Sequence, residues 1–99
     1  MYSVVTWEID AGPGDPALIR AEADTALAPR TTCDLYDDVR ITHVASEADY
    51  LRLHEDLQDV ADAHPGQFRY AVWALRARSP MRTNVSFDHA CAREVIDGD

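Results

Sequence analysis

Two carboxylates, Glu8 and Asp10, stand two residues apart where an apolar run gives way to Asp10-Ala-Gly-Pro-Gly. On a regular strand, residues i and i+2 project from one face, so both carboxylates reach the same side of the chain where a loop begins. Paired carboxylates so placed suit a hard divalent cation such as Mg²⁺ or Mn²⁺, and a dimer would bring two copies of Asp10 together. The plainer reading is a solvated strand end and an Asp turn.

The other chemistry-bearing side chains are scattered. His43, His54, His64 and His89 share no motif. His89-Ala-Cys91 supplies two metal ligands only if Cys33 or His43 comes near, whereas zinc sites ordinarily show paired spacing such as Cys-x-x-Cys. Cys91 lies on an apolar stripe, which reads as packing and not as a nucleophile. Ser86 lacks a nucleophile elbow and reads as a helix cap. Gly12-Pro-Gly14 is too short to cradle a phosphate. Arg69, Arg76, Arg78 and Arg82 form a cationic cluster suited to pairing with carboxylates elsewhere in the chain. No motif names a reaction.

Eighteen acidic and nine basic residues among 99 give a net charge of −9, and every fixed cation is arginine. Such a balance argues against a large nucleic-acid footprint, which needs clustered Lys and Arg, and suits solubility or a basic protein partner. The Ala-, Asp- and Arg-heavy, Lys-free composition suggests a GC-rich bacterial genome. The chain shows no signal-peptide pattern and no run of membrane-span length, so a cytoplasmic, membrane-free location is expected. Cys33 and Cys91 then read as buried thiols.

The elements that must position these residues are legible in order. Tyr2 to Ile9 is β-branched and aromatic and reads as a strand. Asp15 is a good N-cap, Pro16 suits the first helical position, and Ile19, Ala23, Ala26 and Leu27 follow helical spacing up to the break at Ala28-Pro29. Residues 31–44 read as a hairpin turning near Tyr36-Asp37-Asp38. Val39, Ile41 and His43 take one face of its second arm, and Arg40, Thr42 and Val44 take the other. Ser46-Glu-Ala-Asp49 forms a capping-box pattern before a helix whose Tyr50, Leu53, Leu57, Val60 and Ala61 make an apolar stripe. Its Glu47, Glu55, Asp56, Asp59 and Asp62 make a second, acidic surface that could dock a basic partner. Gln67 to Arg78 is a last strand, apolar on both faces. A tail follows over 79–99, with a short helix expected over 86–96.

Strand, helix, strand, strand, helix, strand is the split βαβ, ferredoxin-like order, giving an α+β domain over 1–78 with a four-stranded antiparallel sheet. Residues 1–78, opening Met-Tyr-Ser-Val-Val-Thr-Trp-Glu-Ile-Asp10, also resemble the superfamily of CRISPR-associated adaptation proteins, virulence-associated protein D and a ribonuclease-type antitoxin. That resemblance implies a ferredoxin-like homodimer. It also implies a metal-dependent nuclease whose metal-binding acid is Asp10 or Glu8, the pair Trp7-Glu8 standing where the family carries Tyr-Asp.

Two helices cover one sheet face, so Tyr2, Val4, Tyr70 and Trp73, with Phe87 from the tail, are expected to form a self-association surface. The first reading is a small, acidic, non-catalytic protein-binding module that acts as a homodimer without a cofactor. The alternative is a Mg²⁺- or Mn²⁺-dependent endoribonuclease using Asp10. A further alternative is a small-molecule enzyme or binder with its site between sheet and tail.

Overall fold

The computed structural model describes residues 1–75. Six elements follow in the order β1 (Tyr2–Ile9), α1 (Pro16–Leu27), β2 (Thr32–Tyr36), β3 (Val39–His43), α2 (Glu47–Ala63) and β4 (Phe68–Leu75). The strands form one four-stranded sheet in the order β2-β3-β1-β4, and every neighbouring pair is antiparallel. β1 and β3 are its central pair. Each helix therefore joins two parallel strands with one antiparallel strand between them. The tail, its expected helix, Ser86, Phe87, His89, Cys91, Arg76, Arg78 and Arg82 lie outside the described residues.

The local signals act as their chemistry dictates. Asp15 accepts from the Ala17 N–H at 2.9 Å and Pro16 opens α1. Along α1, Ile19, Ala23 and Leu27 are buried. They meet Leu53, Leu57 and Val60 of α2 and Val5, Trp7 and Phe68 of the sheet in one core. Odd residues of β1 and even residues of β4 thus face the helices, and the register places Val4 and Trp73 on the opposite face.

Ser3 sits at the helix-facing side of β1, fully buried, and its hydroxyl has no hydrogen-bond partner among the described residues. Removing a hydroxyl that bonds to nothing frees the fold of a desolvation cost. Ser3→Ala is expected to leave stability unchanged or raise it by up to about 1 kcal/mol. A clear fall in the thermal midpoint would contradict this.

Arg30 ties the end of α1 to the start of α2. Its side chain is only 9% exposed. Nε and Nη2 donate to Asp49 Oδ1 at 3.1 and 2.9 Å, and Nη1 donates to Ala26 O at 3.1 Å. The Asp49 N–H donates to Ser46 Oγ at 3.1 Å, and Asp49 Oδ2 accepts from the Ala45 N–H at 3.0 Å. The capping box is therefore present with its carboxylate reaching one residue further back than the N-cap N–H.

Partial burial pulls the Asp49 carboxyl upward. The Ala45 N–H, the Arg30 bond and the charges of Arg30 and Arg52 outweigh it, so its pKa lies below the ordinary value. A depressed folded-state pKa gives stability that is present above the unfolded value of about 4 and is lost as pH falls through the folded one. Asp49→Asn is expected to lower unfolding free energy by about 1–2 kcal/mol at neutral pH. The deficit shrinks as pH drops below about 4. Urea titrations of both proteins at neutral and acid pH check this: persistence of the full gap in acid would mean that the charge plays no part.

Candidate functional site

The strand-end carboxylates lie where the sequence puts them. Glu8 is exposed near the end of β1, directly across from Arg69 of β4. The Asp10 N–H continues the ladder to Gln67 O at 2.8 Å. Asp10 Oδ1 accepts from the Gly12 N–H at 3.2 Å, closing a turn in which Gly12 takes φ of 58°. A side chain is strained at such a φ, and glycine is not. Glu8 and Asp10 share a pocket of about 200 Å³ with Gly66, Gln67 and Arg69.

Among the described residues, two carboxylates, one already engaged by a turn and both sharing the pocket with a guanidinium, fall short of the oxygen ligand set a divalent ion takes. Among the described residues no group of three or more His, Cys, Asp or Glu gathers to hold a metal. Nor is there a free cysteine among them: Cys33 is buried and disulfide-bonded, which replaces the buried thiol expected from the sequence. His64 pairs through Nε2 with Glu22 Oε2 and links the end of α2 to α1.

A second feature is a groove of about 590 Å³ between α2 and β4. α2 contributes Tyr50, His54, Gln58 and Ala61, which recur along one side of the helix, and β4 contributes Phe68, Tyr70 and Val72. Tyr50 Oη donates to Val72 O at 3.2 Å. Tyr70 Oη lies 2.9 Å from His54 Nδ1, 3.1 Å from Gln58 Oε1 and 3.2 Å from His54 O. The phenol carries one hydrogen, so it donates to one of these acceptors at a time. Burial, and then the charge of Asp62, push the Tyr70 hydroxyl above its ordinary pKa, so it remains a neutral donor at physiological pH.

The expected interface residues separate. Val4 is half-buried and Trp73 is 51% exposed on the outer sheet face. Tyr2 shares that face but is fully buried within the chain. Tyr70 lies on the opposite face, under α2, so it cannot join Trp73 in one flat patch.

Glu47, Glu55, Asp59 and Asp62 are exposed along α2, with Leu51 at 55% exposure on the same helix. Asp56 is half-buried and turns toward Arg30, 3.9 Å from Nη2. The groove was not anticipated from the sequence. Its signal is the i, i+4 run Tyr50, His54, Gln58, which the stronger Leu53–Leu57 stripe conceals. Compared with known proteins, the chain matches no family model, no curated protein and no solved structure.

Proposed function

We propose that this chain is a ferredoxin-like protein-binding domain that works as a homodimer and not as an enzyme. The observation that carries this reading is Trp73, half in water on β4, an edge strand among the described residues, with Val4 paired to it. A large indole on such a surface adds apolar area that association would bury, and Trp is enriched among the residues that dominate interface energetics. The order β2-β3-β1-β4 with a helix between parallel strands supports the split βαβ assignment. The exposed carboxylates and Leu51 on α2 support a second contact surface for a basic partner.

Size-exclusion chromatography with light scattering tests it. Twice the 11.0 kDa chain mass is expected at micromolar concentration. Trp73→Ser should weaken association by at least about tenfold, as loss of a central aromatic contact does. A monomeric wild type overturns the reading. So does Mg²⁺- or Mn²⁺-dependent RNA cleavage that disappears in Asp10→Ala, the outcome required by the competing nuclease.

A further inference from the structure

The two edges of the sheet are built differently. The β2 edge has five residues, its register shifts between Asp34 and Tyr36, and Asp37 follows at once. A short, bulged, charged edge resists pairing. The β4 edge has eight residues, Phe-Arg-Tyr-Ala-Val-Trp-Ala-Leu, paired with β1 in unbroken register. It carries no proline and no carboxylate, although 18 of 99 residues are acidic. Among the described residues no strand pairs with its outer side.

The Asp10 N–H bond to Gln67 O sets the phase of the β1–β4 ladder. Phe68, Tyr70, Val72 and Ala74 therefore turn their backbone N–H and C=O groups away from β1. Tyr50 Oη reaches one of these groups, Val72 O, and leaves that carbonyl a second lone pair.

We infer that the β4 edge is completed by β4 of a second copy, the two strands pairing antiparallel about Ala71. The inference rests on the homodimer reading and adds where and in what register the copies meet. Pairing about Ala71 sets Arg69 across from Trp73 of the partner copy, twice by symmetry, with both side chains on the outer face. A guanidinium over an indole is attractive, and no like charges oppose each other. Pairing about Val72 instead sets Arg69 against Leu75, and pairing about Tyr70 sets it against Ala71; neither gives the cation a partner. On the helix-facing side, Tyr70 stands across from Val72 of the partner copy, and the open groove beside α2 leaves room for the incoming strand. The result is one continuous sheet with all helices on one side.

Ala71 is half-buried on the outer face, so it tolerates a small substitution. In this register Ala71 meets its own copy at a non-hydrogen-bonded position, where Cα atoms are about 4.5 Å apart, within reach of a disulfide. Mild oxidation of Ala71→Cys is expected to give a covalent dimer on a non-reducing gel. Arg69→Cys, which does not face itself, and the wild type should give none. Ala71→Asp, which opposes two carboxylates, should weaken association about 100-fold, with circular dichroism confirming its fold.

A dimeric mass without the Ala71→Cys cross-link, or an equally tight Ala71→Asp dimer, overturns the β4 pairing and leaves the homodimer reading standing. A monomeric wild type overturns both.

Discussion

Replacing Arg40 by methionine is expected to lower unfolding free energy by about 3 kcal/mol, toward the low end of what breaking a buried ion pair costs. Arg40 is an arginine between two apolar strand residues, yet its side chain is only 3% exposed. Nε donates to Asp24 Oδ1 at 2.9 Å, and Asp34 Oδ1 lies 2.8 Å from the same nitrogen. Nη2 reaches Asp24 Oδ2 at 3.3 Å. Nη1 donates to the carbonyls of Tyr36, Asp37 and Val39 at 2.7, 2.9 and 3.2 Å, binding the hairpin turn from inside.

The guanidinium also lies 4.8 Å from the Trp7 ring centroid, and Trp7 Nε1 donates to Asp38 Oδ1 at 2.8 Å. Methionine fills the space but gives those carbonyls no donor. The side chains of Asp24 and Asp34, 42% and 70% exposed, can return to water, which keeps the loss near the lower limit. Arg40→Lys should recover less than half, because one ammonium cannot bridge the carboxylates and the turn together. Urea unfolding with an unchanged slope is the measurement. A loss under about 1 kcal/mol would mean that hydrophobic packing alone holds this hairpin.

Leu57→Ala is expected to cost about 3 kcal/mol, in the lower half of the range for truncating a fully buried leucine. Leu57 is completely buried where α2 meets Val5, Trp7 and Phe68 of the sheet. Domains of this size have about 5–15 kcal/mol in total, so the thermal midpoint should drop by about 10–20 °C. Leu51→Ala on the same helix, exposed and outside the core, should change stability by less than about 0.5 kcal/mol. If Leu51 proves as costly as Leu57, the assignment of helix faces is wrong.

The elements are legible in the chain because each carries a local signal: Asp15 with Pro16, Ser46 with Asp49, the Asp37-Asp38 turn, and the leucine spacing of α2. Phase along the strands was not readable in the same way. β1 and β4 are apolar on both sides, so alternation alone cannot tell which residues meet the helices. Only the pairing of Val4 with Trp73 and of Trp7 with Tyr70 decides it. Alternation alone puts Tyr70 and Trp73 on opposite faces, so they do not form one patch; the pairing shows that Tyr70 is the one facing the helices.

Alternation puts Arg40 on the same face as Thr42 and Val44. Its burial depends on Asp24 in another element and on backbone carbonyls, which no spacing rule reports. Glu8 and Asp10 do share a pocket, but Arg69 enters it from a strand nearly sixty residues later in the chain.

The bulge in β2 also limits what this sheet can build. In a polymer chemist's terms, a subunit with two open edges is bifunctional and grows into fibres, whereas a subunit with one is a chain terminator. Asp34, Asp37 and the shifted register close one end of the sheet. Once β4 pairs with β4 of a second copy, the edges left among the described residues are two copies of β2, and growth stops at the dimer.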